Sequence, residues 1–217
     1  MIKCAVFDLD GTLTDTLDTI AYYCNKALKR LGLEPIETEK YKYFVGEGAA
    51  KLIHRILNYR GLSLTAEEEE KITKEYVEDY NRDPKFLTKV YDGVEELLYF
   101  LKEKGILLAV LSNKPESSVK PLVSDFFEDG VFSIVCGQKD SVPKKPDPTA
   151  LFSILKELGC EAKECIYVGD TSTDMKTGKA AGAYTVGVLW GFRDIEELQS
   201  SGADLIAENP MQIAERI

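Results

Sequence analysis

The stretch that most constrains this chain is Ile2-Lys3-Cys4-Ala5-Val6-Phe7 running into Asp8-Leu9-Asp10-Gly11-Thr12-Leu13-Thr14. Its apolar run reads as a buried strand, and two carboxylates two residues apart stand where that strand ends. In extended chain residues i and i+2 project to the same side, so Asp8 and Asp10 face one place at the carboxyl end of the strand. Gly11 permits a sharp turn directly after them. Like charges at close range repel. A strand that buries itself and then presents two acids is therefore organised around chemistry, and metal binding with catalysis is the chemistry that needs such a pair.

Beyond this point the pattern falls into two parts. Leu17, Ile20, Ala21, Cys24, Ala27, Leu28 and Leu31 recur at helical spacing, and Gly32 is a natural stop. Glu37 to Phe44 predicts a short helix, Gly46-Glu47-Gly48 a break, and Ala49 to Tyr59 a further helix. Thr65-Ala66-Glu67-Glu68 has capping-box form and opens a helix to about Asn81. From Asp92 onward helices alternate with continuous apolar strands. The strands are Ile106 to Leu111, Val131 to Cys136, Cys165 to Val168 and Tyr184 to Val188, with shorter elements near Ile195, Leu205 and Met211. Ser112 to Pro115 reads as a loop, and Pro143, Pro146 and Pro148 exclude regular structure around Lys145.

Apolar strands alternating with helices predict an α/β fold, a parallel sheet covered on both faces. The helical stretch after the first strand is far longer than one crossover needs. The expected organisation is a core of residues 1–14 and 88–217 with a helical insertion of residues 15–87, hinged at Leu13 to Thr16 and at Asp83 to Lys89.

Charge and composition narrow the function classes. With 27 Lys+Arg against 37 Asp+Glu the net charge is −10, which argues against non-specific nucleic-acid or anionic-membrane binding. The five cysteines are scattered, which predicts reduced, packed thiols. His54 is the one histidine, which argues against a zinc cluster and against a histidine-activated serine or cysteine nucleophile. No apolar run approaches the roughly 18 residues of a membrane span, and the N-terminal run ends in acids rather than a cleavage signal. The expected setting is a reducing cytoplasm.

In open α/β sheets ligands bind outside the carboxyl ends of the strands. Polar residues gather at three such ends: Asp8 with Asp10, Ser112 with Asn113, and Asp170 with Asp174 one helical turn on. Lys145 arrives on the proline-stiffened loop. Hard oxygen donors without a histidine cluster select Mg²⁺ over zinc. Carboxylates, Mg²⁺ and a lysine together suit a phosphate group. A carboxylate approaching a phosphate dianion faces roughly 4 kcal/mol of repulsion per charge pair at ~4 Å and an effective dielectric of about 20. The metal and Lys145 offset that repulsion.

The order Asp8-x-Asp10-Gly11-Thr12, Ser112-Asn113, Lys145-Pro146 and Gly169-Asp170-x-x-x-Asp174 resembles the haloacid dehalogenase-like superfamily, with all four motifs in order over almost the whole chain. The resemblance implies a Rossmann-like sheet of strand order 5-4-1-2-3, an inserted helical cap, and a Mg²⁺-dependent phosphatase working through an aspartyl phosphate. In that reading Asp8 is the nucleophile and Asp10 the acid/base. Lys145 is the neutralising cation, with Lys144 the runner-up. Asp8, the Asp10 carbonyl and Asp170 hold the metal, and Asp174 supports the metal site from behind those ligands or through water. Gly11 and Thr12 form part of the phosphate pocket, and Ser112 and Asn113 bind phosphate, holding the phosphoryl oxygens, or orient the substrate on the cap side.

True dehalogenases resembling this chain lack an acid at the position of Asp10. Asp92-Gly93-Val94, the run Leu108 to Pro115, and Gly46-Glu47-Gly48 before a helix are similar to the phosphoglycolate phosphatase group and its relative acting on pyrophosphate. The substrate implied is a small phosphorylated metabolite. The competing readings are pyrophosphate hydrolysis, a β-phosphoglucomutase-type mutase, phosphonate hydrolysis through a Schiff base on Lys51, and a binding protein that kept the fold. Thr12 and the lack of a histidine in the first cap helix resemble the phosphatases more than the mutases. On the cap side, Gly48 and the basic face of Lys51 and Arg55, four residues apart, are candidates for meeting a substrate carboxylate. His54, Trp190 and Phe192 read as structural.

Overall fold

The computed structural model describes residues 1–217. Its elements in chain order are β1 (Cys4–Phe7), β2 (Thr14–Asp15), α1 (Leu17–Arg30), a 3₁₀ turn (Thr38–Tyr43), α2 (Ala49–Tyr59), α3 (Ala66–Arg82), β3 (Lys89–Val90), α4 (Val94–Glu103), β4 (Leu107–Pro115), α5 (Glu116–Phe126), β5 (Ile134–Gln138), α6 (Thr149–Leu158), β6 (Cys165–Gly169), α7 (Ser172–Ala181), β7 (Tyr184–Val188), α8 (Ile195–Ser200), β8 (Leu205–Ala207) and α9 (Met211–Ala214). Six strands form one sheet in the order β5-β4-β1-β6-β7-β8, and every pairing within it is parallel. Read from its far end and numbered by core strands alone, this is the expected 5-4-1-2-3 order, lengthened beyond β7 by β8.

β1 is apolar throughout because both of its faces are covered. Ala5 and Phe7 join a cluster with Leu97 and Leu101 of α4 and Leu122 of α5. Cys4 and Val6 point to the other side, against Leu151 and Ile154 of α6. Alternation of side chains along an extended strand makes this two-sided burial possible.

The helical segment has its own apolar cluster, built from α1, α2 and α3 and including Phe192 from the sheet-bearing part of the chain. α3 starts on a complete capping box between Thr65 and Glu68. The two links to the sheet-bearing part are paired with each other: Thr14 lies opposite Val90 and Asp15 opposite Lys89 in an antiparallel ribbon. Two-residue strands carry no readable periodicity, so the sequence gives no sign of this ribbon.

Two expectations are corrected. Ser112 to Pro115 are not a loop, because β4 continues through Pro115. A register irregularity after Leu111 lets Pro115 pair with Gln138, and a proline at the strand end forfeits no ladder bond it would have donated inside the sheet. β5 begins at Ile134 rather than Val131, because the chain is still leaving a turn there, in which the Val131 N–H donates to the Glu128 carbonyl.

Candidate active site

Phe7 is in register with Val110 of β4 and Val168 of β6. One or two residues further on, the chain must deliver Asp8, Ser112 and Asp170 side by side at the carboxyl edge of the sheet. The chain then coils tightly: the N–H groups of Thr12, Leu13 and Thr14 all donate to the Leu9 carbonyl, at 3.3, 3.0 and 3.0 Å. Gly11 takes a φ of 85°, and a Cβ there would lie 2.3 Å from Asp170 Oδ2 and 2.8 Å from the Phe192 ring. Only glycine meets both demands. Gly169 answers a similar need, since a Cβ there would lie 2.3 Å from Cβ of Asp174.

Asp8, Asp170 and Asp174 are all buried, and each offers an oxygen within 4.8 Å of the others. Lys145 Nζ lies 3.0 Å from Asp8 Oδ1 and 2.7 Å from Asp174 Oδ1, and donates to the Leu111 carbonyl at 3.1 Å. Asp8 Oδ1 also accepts from the Leu9 N–H at 2.7 Å. Asp170 accepts from the Thr12 hydroxyl at 3.2 Å and from the Phe192 N–H at 2.8 Å. Asp174 Oδ2 accepts from the N–H and hydroxyl of Thr171, at 3.1 and 2.6 Å. Both oxygens of Asp174 are thus engaged within the protein.

Burial pushes the Asp8 carboxyl up to about 7. Lys145 works against that rise, and Asp174 and Asp10 reinforce it. Burial, then Asp174 and Asp8, raise Asp170 well above the usual carboxylate range. Burial acts to lower Lys145, but Asp174 and Asp8 outweigh it and hold the ammonium charged. Three buried carboxylates against one ammonium leave negative charge in excess, which a low-dielectric site tolerates poorly. That imbalance, on hard oxygen donors alone, fits a small divalent cation such as Mg²⁺.

Asp10 stands apart from this trio. Its Oδ1 accepts from the Thr16 hydroxyl at 2.7 Å, and Lys114 Nζ donates to its two oxygens at 2.9 and 3.1 Å. Lys114 is buried and lies over the Tyr80 ring, 4.1 Å from its centroid. Burial acts to lower Lys114, but the Asp10 charge and Tyr80 outweigh it and raise it above the ordinary lysine value. Sequence alone assigns Lys114 no role; the signal for it is its place directly after Ser112-Asn113, at the end of a stretch, 108–114, that is buried throughout.

Asn113 departs from expectation. Its Nδ2 donates to the Lys145 and Gly46 carbonyls, both at 3.1 Å, and its Oδ1 accepts from the Lys145 N–H at 2.9 Å. A buried amide must satisfy its own donors. This one does so by tying β4 to the Lys145 loop and to the helical segment, which leaves no side-chain donor for a phosphate. Ser112 Oγ accepts from the Lys114 N–H at 3.2 Å, so its own proton stays available.

Between the helical segment and the sheet edge lies a cavity of about 50 Å³. Asp8, Asp10, Ser112 and Lys114 face it from the sheet side, and Leu52, Tyr76 and Tyr80 from the helices. Gly48 also lines it, with φ 87° and room for a Cβ only at 3.0 Å from the Asn113 carbonyl. Lys51 and Arg55 do not line it. Helix α2 turns Leu52, Ile53 and Ile56 inward, which leaves Lys51 exposed. Arg55 bonds the Phe44 carbonyl at 3.0 Å and pairs with Glu47. His54 is at the surface beside Glu69. Phe192, read as structural, lines the cavity, while Trp190 donates to the Thr12 carbonyl at 2.9 Å. Arg193, also unread, donates to the Val45 carbonyl at 3.1 Å and to that of Lys42, which fastens the 42–45 stretch over the site.

Residues 5–188 match the family model described as haloacid dehalogenase-like hydrolase. The chain is 33% identical over 211 residues to a phosphoglycolate phosphatase of Haemophilus influenzae, covering 95% of this chain and 94% of that one. It is 35% identical over 195 residues to a phosphoglycolate phosphatase of Aquifex aeolicus, covering 88% and 86%. Among solved structures, a predicted phosphoglycolate phosphatase from Haemophilus somnus superposes with a TM-score of 0.92 at 28% identity, covering 99% of this chain and 97% of that one. The sheet order, the four motifs at its carboxyl edge and these likenesses agree: the chain belongs to the haloacid dehalogenase-like hydrolases.

Proposed function

We propose that this protein is a Mg²⁺-dependent phosphatase that hydrolyses a small phosphorylated metabolite of the phosphoglycolate kind, through a phosphoryl group carried on Asp8. The observation that carries the reading is Lys145, fixed between Asp8 and Asp174 at 3.0 and 2.7 Å, beside a third buried carboxylate on Asp170. The likeness to phosphoglycolate phosphatases over nearly the full length supports the substrate class.

In this mechanism a carboxylate oxygen of Asp8 attacks phosphorus and the bond to the leaving oxygen breaks. Asp10 gives that oxygen its proton. A water then loses a proton to Asp10 and attacks the phosphorus, which frees Asp8 and releases phosphate. Lys145 lowers the repulsion between Asp8 and the incoming phosphate and meets charge on the phosphoryl oxygens. Ser112 supplies a hydroxyl, and Gly11 with Thr12 supplies the backbone of the phosphate pocket. Bound Mg²⁺, for which Asp8, Asp170 and the Asp10 carbonyl are the candidate ligands and Asp174 a supporting one, supplies further charge neutralisation. Residues 15–87 act as a lid, moving on the β2–β3 ribbon to exclude water. Lys51 is exposed and outside the cavity, so a Schiff-base phosphonate reaction lacks the cap lysine it would need. The cytoplasm is the setting such a metabolite implies.

Phosphate release from a panel of phosphorylated metabolites with Mg²⁺ tests the reading. Turnover of 2-phosphoglycolate is expected. No release from any monoester, with Mg²⁺ or Mn²⁺, overturns it.

A further inference from the structure

The proposed mechanism leaves one buried cation without a task. Lys114 is the single cationic side chain among those lining the cavity. Its Nζ lies within hydrogen-bond distance of both oxygens of Asp10, the group that must reach the leaving oxygen. A substituent on the carbon next to that oxygen therefore comes within reach of Nζ as well. On its other side Lys114 meets the face of Tyr80, a weaker partner for an ammonium than a carboxylate is. The Tyr80 hydroxyl is buried and has no hydrogen-bond partner. A buried hydroxyl left unpaired is uncommon and calls for an occupant or a function. Much of the remaining helical wall, including Ile20, Val45 and Leu52, is apolar, and Lys114 is the one full positive charge an anion meets there. The small volume admits a leaving group of only a few atoms.

We propose that Lys114, with Tyr80 as second donor, binds a carboxylate on the carbon adjacent to the phosphate ester and so selects phosphorylated 2-hydroxy acids. This rests on the phosphatase reading above and adds the group that sets its specificity. Neutral leaving groups of the same size give the lysine no charged partner beyond Asp10, and cationic ones are repelled.

The test compares kcat/KM for 2-phosphoglycolate with that for its neutral counterpart 2-hydroxyethyl phosphate, with Mg²⁺. Because both substrates use Asp10 in the same way, their ratio cancels any displacement of Asp10. Lys114→Met is expected to lower the ratio by roughly 10- to 100-fold, the loss of a charge-assisted hydrogen bond. Tyr80→Phe, which keeps the ring and puts the fold at little risk, is expected to lower it by about 3- to 10-fold. Lys114→Arg should retain most of the preference. Binding of the two compounds to the Asp8→Asn protein, followed by calorimetry, should give the same ordering without turnover. A wild-type ratio near one, or a ratio unmoved by both Lys114→Met and Tyr80→Phe, overturns the proposal and leaves the phosphatase reading intact. Absence of phosphate release from either substrate and from every other monoester overturns the phosphatase reading itself.

Discussion

The ammonium of Lys145 lies closer to Asp174, at 2.7 Å, than to Asp8, at 3.0 Å. The lysine is thus held from behind by an acid whose other oxygen caps the start of α7 through Thr171. The helix cap fixes Asp174, Asp174 fixes Lys145, and Lys145 faces Asp8.

Asp174→Asn should therefore reduce kcat by about 10- to 100-fold, the usual cost of losing a group that orients another. Steady-state kinetics with a small phosphate ester would check this. The Asp174→Asn protein should keep its helical and sheet content by circular dichroism.

Asp8→Asn is expected to lower turnover of p-nitrophenyl phosphate by at least about a thousand-fold, because a neutral amide replaces the attacking carboxylate. Retained activity in a correctly folded Asp8→Asn protein would remove Asp8 from the mechanism.

The buried acids also set a pH dependence in the absence of metal. A carboxyl whose pKa rises on folding adds stability while it is protonated. For Asp8 that contribution is complete below its ordinary value of 3.8 and is lost as pH climbs through about 7. Urea unfolding in chelator should show wild type losing stability relative to Asp8→Asn across that window, by no more than about 1.4 kcal/mol per pH unit. A difference that is flat with pH would contradict the burial argument.

Gly11→Ala places a methyl where 2.3 Å separates it from Asp170, at a φ of 85° that alanine resists. The expected cost is about 1–3 kcal/mol from overpacking, with loss of activity as Asp170 or Phe192 is displaced. Chemical denaturation and the ester assay would measure both.

Arg193 fastens the 42–45 stretch, whose Val45 lines the cavity, through the carbonyls of Lys42 and Val45. Arg193→Ala should loosen that stretch, raising amide exchange there and raising KM by about 10-fold, the worth of one charge-assisted hydrogen bond. Unchanged exchange in residues 42–48 would show that the loop is held by packing alone.

The class of fold and the chemistry of the sheet edge are legible in the order of the residues alone. Apolar strands with covered faces, helices with clear period and glycines at forced turns are local signals. Asp8 and Asp170 stand one residue past the ends of β1 and β6, with Asp10 two residues after Asp8, and Ser112 follows the apolar run of β4; a parallel register brings such positions together whatever the packing. What only tertiary structure decided are the contacts between segments far apart in the chain. Asn113 turned to the carbonyls of Gly46 and Lys145, because its buried amide took the nearest acceptors. Lys114 found Asp10 and Tyr80 across more than a hundred and about thirty residues respectively. The basic pair Lys51 and Arg55 lay on the face that α2 keeps away from the site, since its apolar face claimed the interior. Periodicity says that a helix has two faces. Which face meets the substrate depends on how the helix is docked, and docking is set by the summed burial of residues from the whole chain.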